Sequence, residues 1–295
     1  MFVGPRGMLI GWPIVSILSL FVGLSMAEIV SAFPTSGGLY FWAAKLSPPR
    51  WAPFISYFSA WFNFLGLWGT TAATLFDIGE LTIALFYVCG WLDKEQFSDE
   101  SIQYKALVLG LCLVGTLICG WINTLSSRTL NILGQICLVI NIAGLLSNVL
   151  GTAFVGDAPR TSLSDLFSIW ENGTGFPDFY VCIISILPAA TLYTGYDSTG
   201  HFAEETLGAA LSAPLAILAT MILALPVGGL TLWGLLTRIP PDLYDTLSKD
   251  PISTSPIIDI FVYTQGKLLG SIQAFILILM TFTCSYVLIG NISFF

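Results

Sequence analysis

Apolar residues are grouped along the chain in seven long runs, which shorter polar stretches separate. The hydrocarbon core of a bilayer is about 30 Å thick, and an α-helix needs about 20 apolar residues to cross it. Each run has at least about that length, so the pattern predicts an all-α polytopic membrane protein. The predicted spans are residues 8–33, 54–89, 106–125, 130–155, 179–200, 214–236 and 268–290.

Proline marks most of the joints between these runs, because it interrupts a helix. Pro214 is interpreted as such a joint, whereas Pro188 lies inside a predicted span, where neighbouring helices can compensate for the lost hydrogen bond. Residues 257–267 predict a short surface helix that leads into the last span. The second span is too long to cross upright, so we expect it to tilt or to extend beyond the bilayer.

The fifth span loses its apolar character before it has crossed. Its apolar run, 179–193, has about 15 residues, which corresponds to roughly 22 Å of helix. Glycines, hydroxyls and a carboxylate follow at the depth of the membrane, where irregular backbone survives only inside protein or beside a water-filled cavity. Such an interrupted span indicates a transporter binding site. The alternative is that the span ends early and that 195–200 is an ordinary polar loop.

Composition agrees with a membrane protein, since 55% of the residues are hydrophobic and only 9% are charged. The formal net charge is −8 and no basic run occurs, so we expect no nucleic-acid partner. Six cysteines are scattered without a CxxC pair, which favours neither a metal site nor a disulfide framework. The first apolar run is too long for the core of a cleavable signal peptide.

Two stretches carry a family resemblance. Residues 24–46 read LSMAEIVSAFPTSGGLYFWAAKL, and residues 194–206 read TGYDSTGHFAEET. Together with the run from Ser255 to Phe295, they resemble the amino acid/choline/GABA permeases of the amino acid–polyamine–organocation superfamily. The resemblance covers nearly the whole chain and is specific for the family, not for a substrate. It implies a partial LeuT-type inverted-repeat fold with about seven helices, one of them broken.

Members of this family have about twelve spans. The resemblance therefore implies that residues 1–295 form a single, incomplete transmembrane domain that corresponds to spans two to eight. The first span, with its own glycine break, and the last four spans have no counterpart. We expect that this chain alone cannot complete a transport cycle.

The resemblance places substrate contact at the break in the fifth span of this chain. Asp197 has two open interpretations, as a substrate or proton ligand and as the cap of the second half-helix, and both can hold. His201 is interpreted as a polar residue of the helix turn, although histidine can titrate near neutral pH. The substrate-binding candidates are Thr194, Gly195, Tyr196, Asp197, Ser198 and Thr199.

Acidic residues supply the candidates for coupling or gating. Asp77 and Glu80 lie at positions i and i+3 of the second span, and acids at membrane depth are functional candidates by default. Their alternative is a place in a water-filled vestibule at the outer part of that span. The resemblance adds Glu28 at the cytosolic membrane edge and the adjacent pair Glu204 and Glu205, for which a gating or solvated role is favoured over acid–base chemistry.

Two signals disagree about orientation. The resemblance puts residues 34–53 and 201–213 in the cytosol, which leaves Asn172-Gly173-Thr174 outside, where this glycosylation acceptor pattern can be modified. The distribution of lysine and arginine among the loops predicts the opposite orientation.

These observations predict a secondary transporter, not an enzyme, that moves amino acids or related amines such as GABA or choline by alternating access. Its partners are the small-molecule substrate and the lipid bilayer of the plasma membrane or of a vacuolar or other endomembrane. We expect no cofactor, and family analogy favours coupling to protons over sodium. A seven-span receptor is the first alternative, but its Asp-Arg-Tyr-like and Asn-Pro-x-x-Tyr motifs do not occur. The others are an intramembrane enzyme, for which one histidine is poor material, and a non-functional truncated permease.

Overall fold

The computed structural model describes residues 4–92, 101–155, 160–168, 172, 174–238 and 252–292. Within these ranges the regular structure is helical and no β-strand occurs. A 3₁₀ turn lies at Ala203–Glu205. The α-helices are α1 (Gly4–Ala32), α2 (Gly38–Leu46), α3 (Ala52–Cys89), α4 (Ile102–Asn123), α5 (Ser127–Phe154), α6 (Leu163–Ser168), α7 (Asp178–Ile184), α8 (Leu187–Leu192), α9 (Ser198–His201), α10 (Ala209–Leu236) and α11 (Pro256–Ile292).

Among the described residues, six helices are long and apolar enough to cross a membrane. They are α1, α3, α4, α5, α10 and α11, and they match six of the seven predicted spans. The remaining span is represented by a shorter apolar stretch, Asp178–Leu192. Helices suit this composition because their backbone groups bond within the segment and need no water. The chain is therefore an all-α polytopic membrane protein with one broken span, as the sequence predicts.

The predicted joints were wrong at two prolines. Pro214 lies inside α10, which begins at Ala209. Pro188 lies in the first turn of α8, so it is not inside a continuous helix. Proline is tolerated in a first turn because the N–H groups there have no intrahelical partner.

The predicted helix at 257–267 forms the first part of α11, but its placement on the surface was wrong. Ile258 and Phe261 are 0% and 1% exposed, and both lie in the interior. The helix is interrupted at Gly266, whose φ of 80° lies in the left-handed region. Glycine reaches that region without a steric penalty, so it separates this short buried segment from the long apolar one that follows.

The contacts divide the chain into two compact units, and the first contains residues up to 67, 162–236 and the end of α11. Its core forms where α1 packs against α10, with α2 contributing one large side chain, Trp42. The buried cluster consists of Met26, Ala27, Val30, Trp42, Ala213 and Ile217. This packing fixes α1 and α10 on either side of the broken span's candidate residues.

A second contact between α1 and α10 depends on glycine. The Trp12 indole lies against Gly228, where an added Cβ would come within 2.0 Å of the ring carbon Cζ2. Trp12 Nε1 donates a hydrogen bond of 3.0 Å to the Leu225 carbonyl on the same helix. The indole is buried, with 7% of its surface exposed. Gly228 is therefore required for the observed position of Trp12.

The second unit contains residues 68–161 and 237–290. Leu81, Ala84 and Val88 of α3 pack with Ile258 and Ala274 of α11. Polar bonds also join its helices. Gln273 Nε2 of α11 donates to Asn148 Oδ1 of α5 at 2.6 Å, and Asn141 Nδ2 of α5 donates to Thr283 Oγ1 of α11 at 2.8 Å. Such interhelical bonds contribute about 0.6 kcal/mol each in membranes.

Candidate functional site

The broken span is the centre of the candidate site, and its predicted interruption is confirmed. Helix α7 ends at Ile184, α8 ends at Leu192, and α9 begins only at Ser198. The irregular turn therefore covers residues 193–197, slightly earlier than the predicted 195–200. A first, smaller interruption at residues 185–186 separates α7 from α8. The prediction missed it because those residues are as apolar as their neighbours.

Gly195 permits the main break. Its φ is +91°, and an added Cβ would meet no atom within 4 Å, so backbone conformation alone requires glycine there. The Gly195 carbonyl accepts hydrogen bonds from Ser198 Oγ at 2.7 Å and Ser198 N at 3.1 Å. Within the described part of the chain, the N–H groups of Gly195, Tyr196 and Asp197 have no acceptor. These donors are available to a ligand.

A cavity of about 170 Å³ opens beside the break. Five of the six predicted substrate-binding residues line it, and Asp197 does not. The hydroxyl of Thr199 is buried and has no hydrogen-bond partner among the described residues. The opposite wall is formed by α10. The complete lining is Leu192, Tyr193, Thr194, Gly195, Tyr196, Ser198, Thr199, Thr220, Met221 and Ala224.

The residues from α10 were missed by sequence reasoning. Thr220, Met221 and Ala224 share one face of the helix, since residues four apart are neighbours. No break, charge or motif marks them in an apolar segment of 28 residues. Only the packing of α10 against the broken span shows their position.

A hydrogen-bonded chain anchors the cavity wall to α1. Tyr193 Oη donates to Ser16 Oγ at 2.7 Å, and Ser16 Oγ donates to the Trp12 carbonyl at 2.6 Å. The rings of Trp12 and Tyr193 also pack together, with centroids 5.3 Å apart. All three side chains are buried. This chain of contacts holds the end of α8 in place just before the backbone becomes irregular.

Asp197 is placed differently from either sequence interpretation. It stands at the N-cap position of α9, but its side chain makes no capping hydrogen bond. Its Oδ2 lies 3.9 Å from His201 Nε2, one turn further on. The carboxylate therefore faces the histidine, outside the cavity lining.

His201 is a buried residue, so its interpretation as an ordinary polar helix-turn residue was wrong. Only 2% of its surface is exposed. Its Nδ1 lies 3.2 Å from the Ser36 carbonyl in the loop between α1 and α2. The signal that could have found it is the absence of any other histidine in the chain.

Glu204 connects the broken span to the same loop. Its Oε1 accepts a hydrogen bond of 3.0 Å from the Ser36 N–H. Hydrogen bonds from Ser36, the backbone N–H first and the side chain second, hold the pKa of the Glu204 carboxyl below its ordinary value, against a smaller opposing effect of desolvation. This contact suits the predicted gating role. Glu205 ends the 3₁₀ turn, and its side chain lies outside the described part.

The other acidic candidates lie away from the cavity. Glu28 is exposed on α1 in the first unit. Asp77 is exposed and Glu80 is half-buried on α3, in the second unit. The structure therefore does not place these three side chains in the cavity lining.

Asn172 lies in a polar turn. Its Nδ2 donates to the Phe176 carbonyl at 2.8 Å and to Asp178 Oδ1 at 2.7 Å. Thr174, the third residue of the acceptor pattern, donates from Oγ1 to Asn172 Oδ1 at 2.7 Å. The Asn and Thr of the pattern are therefore in direct contact, just before α7.

Replacing Glu204 with glutamine should reduce the dependence of stability on acid pH. A carboxyl whose pKa is lowered by folding stabilises the fold above its unfolded value, near pH 4.5, and loses that contribution as pH falls. The wild-type melting temperature in detergent should therefore fall more between about pH 6 and about pH 3.5 than that of Glu204→Gln. Glu28→Gln, at an exposed carboxylate on α1, is the control. Equal acid sensitivity of the wild type and Glu204→Gln would exclude the Ser36 contact.

Comparison with known proteins gives a consistent result. The profile of the family described as "Amino acid permease" matches residues 2–295. The Amino-acid permease BAT1 homolog of Oryza sativa subsp. japonica is 33% identical over 241 residues, which cover 81% of this chain and 45% of the relative. Amino-acid permease BAT1 of Arabidopsis thaliana is 30% identical over 242 residues, with the same two shares.

A fungal relative extends further along the chain. A putative amino acid/polyamine transporter of Macrophomina phaseolina is 29% identical over 268 residues, which cover 91% of this chain and 56% of the relative. The chain thus spans about half the length of the curated relatives it matches.

Proposed function

Because this chain belongs to the amino acid permease family, we propose that it is part of a secondary active transporter that binds an amino acid in the cavity beside Gly195. The family membership supports transport over enzyme chemistry. The cavity beside the broken span supports the place of binding, since interrupted helices form the substrate sites of many transporters.

One observation carries this proposal: unpaired hydrogen-bond donors and an apolar wall face each other across one cavity. The N–H groups of residues 195–197 and the Thr199 hydroxyl have no partner among the described residues. Met221 and Ala224 form the apolar side. A zwitterionic amino acid matches both, because its carboxylate accepts from N–H groups and its side chain contacts the apolar wall. The Tyr196 ring, which also lines the cavity, offers a face to the ammonium group.

The finer features of the function follow from the family resemblance. The substrate is an amino acid or a related amine such as GABA or choline, and it crosses by alternating access in a LeuT-type fold coupled to protons. Glu204 and Glu205 belong to the gate, and Asp77, Glu80 and Glu28 are coupling candidates. Asn172 is glycosylated on the outer side of the plasma membrane or the luminal side of an endomembrane. No cofactor takes part.

An uptake assay tests the proposal. Transporter-deficient cells that express the whole gene should accumulate radiolabelled amino acid in a saturable manner, with unlabelled amino acid competing. GABA and choline, tested in parallel, define the substrate range. A protein that reaches the membrane but takes up none of the proteinogenic amino acids, GABA or choline would contradict the proposal.

A further inference from the structure

Ser36 is held from two directions by the turn that follows the break. Its N–H donates to Glu204 Oε1 at 3.0 Å, and its carbonyl lies 3.2 Å from His201 Nδ1. Residues 33–37 and residues 197–205 are thus joined at one residue. Since Gly195 interrupts the helix immediately before this turn, the turn can move only if both contacts to Ser36 break.

Two glycines fix the surroundings of the His201 ring. Gly38 has a φ of +45°, and an added Cβ there would lie 3.0 Å from His201 Cε1. An added Cβ at Gly200 would lie 2.9 Å from the Trp42 ring, whose Nε1 donates to the Phe33 carbonyl at 2.9 Å. The imidazole therefore occupies a closely packed position between α2 and α9, and its two nitrogens point in defined directions.

The contacts of the ring define its protonation pattern. A carbonyl oxygen only accepts hydrogen bonds, so Nδ1 carries the proton that faces Ser36. In the neutral ring Nε2 then presents a lone pair to Asp197 Oδ2, 3.9 Å away. In the imidazolium both nitrogens donate, and one ring joins the Asp197 carboxylate to the Ser36 carbonyl.

The charged neighbours of the ring come from few elements. Helix α9 packs against α2, α10 and the 3₁₀ turn. Helix α10 contains no titratable side chain, and α2 contains Tyr40 and Lys45, of which Lys45 lies over the Phe41 ring at 5.6 Å. The turn contributes Glu204 and Glu205. Asp197 is the carboxylate that the structure places opposite Nε2.

We propose that His201 is a positioning residue whose protonation latches the turn after the break, through Asp197 and Ser36, onto the loop between α1 and α2. A proton taken from the adjoining aqueous phase closes the latch, and its return to that phase releases it. This inference rests on the proposed function for its consequence: while the latch is closed, the cavity cannot open toward the side of residues 33–37, which is expected to be the cytosol. Transport then depends on the pH of that side.

The first test is spectroscopic and does not need transport. His201 is the only histidine in the chain, so selective ¹⁵N-histidine labelling of protein purified with a histidine-free tag gives the signals of this ring alone. The neutral ring should carry its proton on Nδ1. In Ser36→Pro, which removes only the N–H that Glu204 accepts, this pattern should persist. A neutral ring with its proton on Nε2 overturns the proposal.

The second test is the pH profile of uptake into oriented membrane vesicles with a buffered interior. Lowering the interior pH from about 8 to about 5 should reduce the initial uptake rate about threefold, because imidazole changes charge in this range. His201→Asn keeps an N–H for Ser36 but cannot take up a proton, so it should transport with a flat profile. An unchanged profile in His201→Asn overturns the latch.

A third variant separates the latch from the proposed function. His201→Ala removes both ring contacts and should lower the melting temperature in detergent, whereas His201→Asn should keep it within a few degrees of the wild type. If the wild-type protein transports no amino acid at any pH, the proposed function fails, and the ¹⁵N pattern still decides the latch. If His201→Asn melts like His201→Ala, the Nδ1 contact to Ser36 is not reproduced by a side-chain N–H and the proposal is wrong.

Discussion

Replacing Gly228 with alanine should lower the free energy of unfolding by about 1–3 kcal/mol, the usual cost of overfilling a packed interior. The new Cβ would lie 2.0 Å from Trp12 Cζ2, so the indole would have to move. That movement breaks the hydrogen bond from Nε1 to the Leu225 carbonyl and disturbs the contact with Tyr193. Thermal unfolding in detergent, followed by tryptophan fluorescence, measures the loss.

The neighbouring glycine provides a matched control. A Cβ at Gly229 would lie 3.9 Å from the Trp12 ring, which is an ordinary van der Waals distance. Because alanine is favoured over glycine inside a helix by about 0.5–1 kcal/mol, Gly229→Ala should be neutral or stabilising. If both variants melt at the same temperature, the close seating of Trp12 on α10 is refuted.

Replacing Ala224 with phenylalanine should weaken amino acid binding by about tenfold or more, while the protein still reaches the membrane. Ala224 is half-buried and lines the cavity on α10. A phenyl ring at this position fills space that the substrate side chain would use, and a tenfold loss corresponds to about 1.4 kcal/mol. The concentration dependence of radiolabelled uptake measures the effect, with surface expression determined in the same cells.

Leu223→Phe is the control for this variant. Leu223 is adjacent in sequence, but 59% of its surface is exposed and it does not line the cavity. Its replacement adds an aromatic ring to the same helix without filling the cavity, so uptake should stay near the wild-type level. Equal losses in the two variants would show that the effect comes from α10 in general.

The broken span could be predicted from the sequence because its cause is local. A run too short for the bilayer and a glycine in a polar stretch indicate an interruption without any tertiary information. The structure confirms the break and explains it by the positive φ of Gly195. The interruption at residues 185–186 was missed because apolar side chains continue through it and Pro188 marked only its far side.

The remainder of the site could not be predicted because it depends on packing between distant segments. Ser16 reaches Tyr193 across 177 positions of the sequence, and Trp12 reaches Leu225 across 213. An apolar helix such as α10 gives no periodic signal that selects Ala224, since all its faces are apolar when lipid is the solvent. His201 was misjudged for the same reason: its burial depends on glycines at positions 38 and 200.

Substrate protection of a cysteine at position 194 tests the central claim most directly. Thr194 is exposed and lines the cavity, so Thr194→Cys, in a variant without the six native cysteines, should react with a small charged methanethiosulfonate reagent. A saturating transported amino acid should slow this reaction about tenfold or more, because an occupied cavity is closed to the reagent. Ser25→Cys, at an exposed position of α1 outside the cavity, should react at the same rate with and without substrate. If the amino acid is transported but leaves the reaction of Thr194→Cys unchanged, the substrate does not bind beside Gly195.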